Sequence, residues 1–207
     1  MIAIIDYGVG NLFSLKCSFE SIGADICVTS DPEVIAKADR IILPGVGAFE
    51  DAAKKLRDSG LDKVIKKECA NGKPLLGICL GMQLLFERSF EYGEHEGLGL
   101  IKGSIRPIAD VIDADLKIPH IGWNALDFNG SESKLFKYIS EGDCVYFVHS
   151  YHAAKCEDYV IAKAEYGAPL TAAVANGNVF GCQFHPEKSG NVGLNILRAF
   201  CETEGIS

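Results

Sequence analysis

Along the first ninety residues, short apolar runs alternate with longer stretches of mixed character. Ile2 to Ile5, Ile26 to Thr29, Arg40 to Leu43 and Pro74 to Ile78 are short and almost continuously apolar. Runs of that length read as strands buried on both faces rather than as amphipathic helices. The stretches between them carry helix signals. Asn11 stands where it can cap a helix reaching about Gly23. Asp31-Pro32-Glu33 puts an acid at the cap and Pro at the first helical position. Ala48 to Leu56 and Leu61 to Ala70 have helical spacing, and Met82 to Phe90 reads the same way. Strand, turn and helix in repetition predict a mostly parallel sheet with helices on both faces.

The second half is richer in strands: Cys144 to Val148, Val160 to Glu165, Leu170 to Ala175 and Val179 to Gln183. Asn176-Gly177, between the last two, is a two-residue hairpin signal. A closing helix runs from about Gly190 to Glu202, with Val192, Ile196, Leu197 and Phe200 on one face. No linker, repeat or low-complexity segment interrupts the pattern. The expected architecture is one α/β domain over residues 1–207, with a mostly parallel mixed central sheet flanked by helices.

Composition narrows the function classes. Of 207 residues, 48% are apolar and 23% charged, which is ordinary globular usage. The net charge is −8, and the strongest basic stretch is only Lys63-Val64-Ile65-Lys66-Lys67. A nucleic-acid partner is therefore not expected. No apolar stretch approaches the ~20 residues a membrane-spanning helix needs. The start lacks the basic residues and cleavage site of a signal peptide, so a cytoplasmic location is expected. Eight cysteines are present and no two lie closer than ten residues, so the usual zinc spacing is absent. Most read as buried thiols.

One cysteine differs. Gly77-Ile78-Cys79-Leu80-Gly81 is the thiol form of the strand–nucleophile–helix elbow. The glycines allow strand and helix to approach closely, and the turn pushes the sulfur out at the sheet edge. The N-terminal end of the following helix favours the thiolate. The Leu80 N–H is placed to meet an oxyanion. A buried structural cysteine in a packed turn is the alternative. Among five histidines, His185 has the most telling setting, Phe184-His185-Pro186-Glu187 after a strand. Glu187 can hold the imidazole's second nitrogen, the third role of a catalytic triad. His149, ending Val145 to Val148, is the other candidate base, while His95 and His120 have no evident partner. Pro44-Gly45-Val46-Gly47 also ends a strand and either supplies a second oxyanion N–H or is a plain turn. Gly8-Val9-Gly10 lacks the third glycine of a dinucleotide loop, since position 13 is Phe. No cofactor and no metal are expected.

GICLGMQLLFE (77–87) together with QFHPEKS (183–189) resembles the class I, triad-type glutamine amidotransferases. DYGVGNL (6–12), LPGVGAF (43–49), HIGWN (120–124) and YFVHSY (146–151) narrow this to a resemblance to the glutaminase subunits of imidazole glycerol phosphate synthase. The likeness covers essentially the whole chain. It implies a class I amidotransferase fold, with Cys79 as nucleophile on the L-glutamine side-chain amide, His185 as proton shuttle and Glu187 as its orienter. It implies oxyanion donors at Leu80 and Val46. Substrate contacts fall at Gly47, Gln83, Glu91, Ser150 and Tyr151. It implies a heterodimer with a (β/α)₈-barrel synthase subunit that consumes the ammonia in histidine biosynthesis, with Asn11, Trp123 and Lys188 facing that partner. Leu12-Phe13-Ser14 and Gly190-Asn191 depart from the family's usual flanks.

Overall fold

The apolar runs of the first half do lie side by side in one sheet of the computed structural model, in which residues 1–128 and 130–205 are described. The chain begins β1 (Ile2–Ile5), α1 (Leu12–Ser21), β2 (Ile26–Thr29), α2 (Pro32–Lys37), β3 (Arg40–Leu43) and α3 (Phe49–Asp58). It continues through α4 (Leu61–Ala70), β4 (Leu75–Ile78), α5 (Leu80–Leu84), β5 (Phe86–Ser89), β6 (His95–Glu96) and β7 (Ile101–Pro107). Then come β8 (His120–Ala125), β9 (Cys144–His149), β10 (Tyr151–Ala154) and β11 (Val160–Glu165). β12 (Pro169–Asn176), β13 (Val179–Cys182) and α6 (Gly190–Cys201) complete the order.

The main sheet runs β11-β12-β13-β4-β3-β1-β2. Its pairs from β13 to β2 are parallel, and β12 and β11 add an antiparallel edge. Alternation along each strand divides the core into two faces. Ala3, Ile5, Ile41, Leu43 and Leu75 pack with Ile35, Phe49, Leu56 and Ile65 of α2, α3 and α4. Ile2, Ile4, Ile42, Leu76 and Ile78 point the other way, onto Leu15 and Phe19 of α1 and Ile196 and Phe200 of α6. Both faces of β1, β3, β4 and β13 are therefore covered, which is why those strands carry no solvent-facing polar stripe.

Local signals account for several boundaries. Asp31 Oδ1 accepts from Glu33 N at 2.8 Å, so α2 starts at its predicted acid-Pro cap. The Asn176-Gly177 turn joins β12 to β13, with Asn176 paired to Val179 and Gly177 at φ 60°. Asn11 stands at the cap of α1, but its side chain makes no capping bond.

One element differs from the expectation. Met82 to Phe90 is not one helix: α5 ends at Leu84 and Phe86–Ser89 is strand β5. Gly97 N, Leu98 N and Gly99 N bond to Glu87 O, Leu84 O and Phe86 O, so the segment's carbonyls are claimed by a passing chain rather than by helical N–H groups. β5 belongs to a small second sheet, β10-β7-β5-β6, and β8 and β9 form a separate antiparallel ribbon. Among the described residues no helix is long and apolar enough to cross a membrane.

Candidate active site

The elbow is built by close backbone approach. Cys79 sits between β4 and α5 at φ 54° and ψ −112°, a left-handed conformation that L side chains rarely adopt. Its backbone N–H is anchored on Cys182 O at 2.8 Å. A Cβ on Gly81 would come within 1.8 Å of Leu43 O, and one on Gly77 within 2.7 Å of Gly81 O. Only glycine at both positions lets α5 start directly against β3 and β4. α5 is just five residues long, so its dipole is shorter than the sequence implies.

β13 runs parallel to β4, with Cys182 opposite Ile78, so the residues after β13 emerge at the same sheet edge as Cys79. His185 is fixed there by its own backbone. Its N–H donates to Tyr146 O at 2.9 Å, and its carbonyl accepts from Ser189 Oγ at 2.6 Å. His185 Nδ1 lies 2.8 Å from Glu187 Oε1, and both side chains are buried. The ring and the Cys79 side chain line the same cavity and interact electrostatically. Burial pushes the imidazole pKa down, but the interactions with Cys79 and Glu187 outweigh it and hold the value at about 9. The three residues that the motifs single out are thus one connected cluster.

A cavity of about 580 Å³ opens over the sulfur. Leu80 and Val46 line it, as do Gly47, Gln83, Glu91, Ser150 and Tyr151. Glu91 is braced by Phe49 N, which donates to its Oε2 at 2.6 Å at the start of α3. Gln83 is buried, with its Nε2 3.3 Å from Tyr151 O. Tyr92, 90% exposed, also lines the cavity, and its isolated aromatic ring gave no motif to find it by.

Of the residues expected to face a partner, Lys188 lines the cavity and Trp123 is 57% exposed on β8. Both meet Tyr146, which the motif reading did not single out. The Trp123 ring packs edge-on at 6.2 Å, and Lys188 Nζ lies 5.8 Å from the ring centre. Asn11 is half-buried at the start of α1 and does not line the cavity. Phe13 is 78% exposed on the same helix.

His149 lines the cavity but is not placed as the base. Its Nδ1 lies 2.8 Å from Tyr151 O and its Nε2 lies 3.1 Å from His120 Nδ1, so both ring nitrogens are engaged. Burial drives its pKa down to about 4 despite the bond to the Tyr151 carbonyl. His120 therefore has a partner after all, and it stacks between Phe147 and Tyr166. The pairing joins residues 29 apart through the β8–β9 register, which sequence spacing does not reveal. Among the described residues no group of three or more His, Cys, Asp or Glu side chains could hold a metal ion.

Comparison with known proteins agrees with this geometry. The family model for glutamine amidotransferase class-I matches residues 3–203. Imidazole glycerol phosphate synthase subunit HisH of Oceanobacillus iheyensis is 49% identical over 203 residues, covering 98% of each chain. The protein of that name from Sulfurimonas denitrificans is 49% identical with 100% of both chains covered. The one from Lactococcus lactis is 48% identical, covering 97% of this chain and 98% of that one. Among solved structures, a glutamine amidotransferase crystal structure superposes with a TM-score of 0.75 at 20% identity, over 98% of both chains. A chain of PurLQS from Thermotoga maritima gives 0.75 at 21% identity, over 97% of this chain and 96% of that one. A sulfur held in a strained elbow, a carboxylate-bound histidine beside it and a family match over nearly every residue converge: the chain belongs to the class I glutamine amidotransferases.

Proposed function

We propose that the chain, acting as one domain, is the glutaminase subunit of an imidazole glycerol phosphate synthase. The observation that carries the reaction is the Cys79–His185–Glu187 cluster beneath an open cavity. The relatives' shared name supports the assembly.

With the proton held on His185, the Cys79 sulfur attacks the side-chain amide carbon of L-glutamine. Charge gathers on the amide oxygen, which the backbone N–H groups of Leu80 and Val46 receive. His185 passes the proton to the leaving nitrogen, and ammonia departs from a γ-glutamyl thioester. His185 then takes a proton from water as hydroxide adds to the thioester carbon; the C–S bond breaks, glutamate leaves, and the proton returns from His185 to the sulfur. Glu187 keeps the ring oriented and stabilises its charged form. Glu91 offers a carboxylate to the substrate ammonium, while Gly47, Gln83, Ser150 and Tyr151 shape the rest of the site.

The ammonia passes to a separate (β/α)₈-barrel subunit in a heterodimer. That subunit makes imidazole glycerol phosphate and an aminoimidazole carboxamide ribotide in histidine biosynthesis. Asn11, Trp123 and Lys188 face it, and the assembly works in the cytoplasm. The test is glutamate release from glutamine with and without the barrel subunit and its nucleotide ligand. Strong release only in the full complex is expected. Equal release by the isolated chain would instead make it a free-standing amidohydrolase.

A further inference from the structure

Under the cavity floor lies a polar side chain that the mechanism above leaves idle. Gln183 follows β13, two residues before His185, and is completely buried. Its backbone N–H is satisfied by Ala172 O at 2.8 Å. Its side chain bridges two groups of the site. Oε1 lies 3.0 Å from Gln83 Nε2, and Nε2 lies 3.8 Å from Cys79 Sγ.

The two ends of a carboxamide have nearly the same shape, so its neighbours must decide which end faces the sulfur. Here the decision starts at one backbone carbonyl. Tyr151 O can only accept, so the Gln83 group 3.3 Å away must be the NH₂. That same NH₂ meets Gln183 at 3.0 Å, so the Gln183 atom there must be the oxygen. The Gln183 NH₂ is then left facing the sulfur.

A second line of contacts holds the same carbonyl. His149 Nδ1 lies 2.8 Å from Tyr151 O and must carry its proton there. His149 Nε2 is then an acceptor, filled by the N–H of His120 Nδ1 at 3.1 Å. Burial keeps both rings in the neutral form this requires. Every polar hydrogen from β8 to the nucleophile is thereby set in one sense.

We propose that Gln183 is a positioning residue for the nucleophile, donating its amide N–H to the Cys79 sulfur in an orientation dictated by the Tyr151 carbonyl. It does for the sulfur what a five-residue helix does only weakly, giving the developing thiolate a fixed donor on its buried side. It leaves His185 free on the other side to move the proton. The other titratable groups facing the sulfur are His185, Tyr7 after β1, and Cys182 within β13. The Tyr7 hydroxyl donates to Pro44 O at 2.7 Å, and the buried Cys182 thiol is only a weak donor, so neither replaces the amide.

This inference rests on the thiol-nucleophile reading, and one experiment separates the two. The full chain is treated with iodoacetamide across a pH series, and the carboxamidomethylated cysteine is identified by peptide mass. Gln183→Met keeps an unbranched chain of similar length without a donor. Gln183→Glu keeps the shape and the bond from Gln83 but turns an oxygen toward the sulfur. Cys79 alkylation is expected to slow about tenfold near neutral pH in Gln183→Met, the effect of one hydrogen bond to a charged group. That deficit should shrink as pH rises. Gln183→Glu should be slower still. Glutamate release in the complex should fall in the same order, through kcat rather than KM. Cooperative melting of both variants checks the fold. Alkylation and kcat within twofold of the parent, or a deficit equal at every pH, would overturn the inference. If Cys79 of the parent chain reacts no faster than the exposed Cys17 and Cys144, the nucleophile reading itself fails.

Discussion

His185 stands at the centre of the candidate site, and its environment makes a signed prediction. Its pKa of about 9 stands above the ordinary histidine value of 6.5. The charged ring therefore adds stability that is complete below about pH 6.5 and lost as pH rises through about 9. Melting temperatures of the free chain should decline across that window. Glu187→Gln removes one of the groups that hold the proton, so the decline should be smaller and end at lower pH. The same substitution should cut kcat/KM for glutamine by roughly two orders of magnitude or more, since the ring loses its orienting partner. Residues of this kind are the most legible in sequence. An elbow needs its glycines at fixed offsets, and an orienting carboxylate two residues from its histidine is a local pattern. His120, Tyr146 and Gln183 were illegible for the opposite reason. Their side-chain hydrogen-bond partners lie 29 to 104 residues away in sequence, or are backbone atoms that carry no letter.

At the scale of single elements, tertiary contact overrode periodicity where the two disagreed. The apolar spacing of Met82 to Phe90 suits a helix, yet Phe86–Ser89 pairs with β7 and β6. β6 and β7 were not foreseen because they are short or interrupted by Gly103, whose φ of 119° puts a kink in the strand. The main-sheet strands were legible because burial on both faces forces continuous apolar runs. Short helices pose another problem, since α2 has only six residues and exposes carbonyls near its end. Lys73 answers it from outside the element. Its Nζ lies 2.8 Å from Ile35 O, 2.7 Å from Ala36 O and 2.8 Å from Glu68 Oε2 on α4. The pair is mostly buried, with side-chain exposures of 11% and 8%. Lys73→Met would strand the Glu68 carboxylate and the α2 carbonyls together. The expected loss is about 3 kcal/mol, read from the urea midpoint with the denaturant slope unchanged.

For the whole molecule, the sheet order brings the ends of β3, β4 and β13 to one edge, where three separate turns build the cavity. Fold class was readable from the alternation of elements, but the second sheet and the β8–β9 ribbon were not, since their pairing joins distant segments. The ribbon presents Ile121 and Trp123, 58% and 57% exposed, to solvent. If this face meets the barrel subunit, Trp123→Ala should weaken the complex by roughly 30-fold or more in a calorimetric titration. The melting temperature of the free chain should hardly change, because the side chain is already mostly outside.

The way His185 is tethered gives that ribbon a mechanical meaning. Tyr146 of β9 receives the His185 N–H on its carbonyl, and its own N–H goes to Ser189 Oγ at 2.9 Å, the hydroxyl that also grips the His185 carbonyl. His185 is thus bolted by its backbone to the strand directly beneath Trp123. A load applied to the outer side of the ribbon reaches the triad through three hydrogen bonds and no intervening core. The ribbon is a short stiff lever whose outer arm is the exposed tryptophan and whose inner arm is the imidazole.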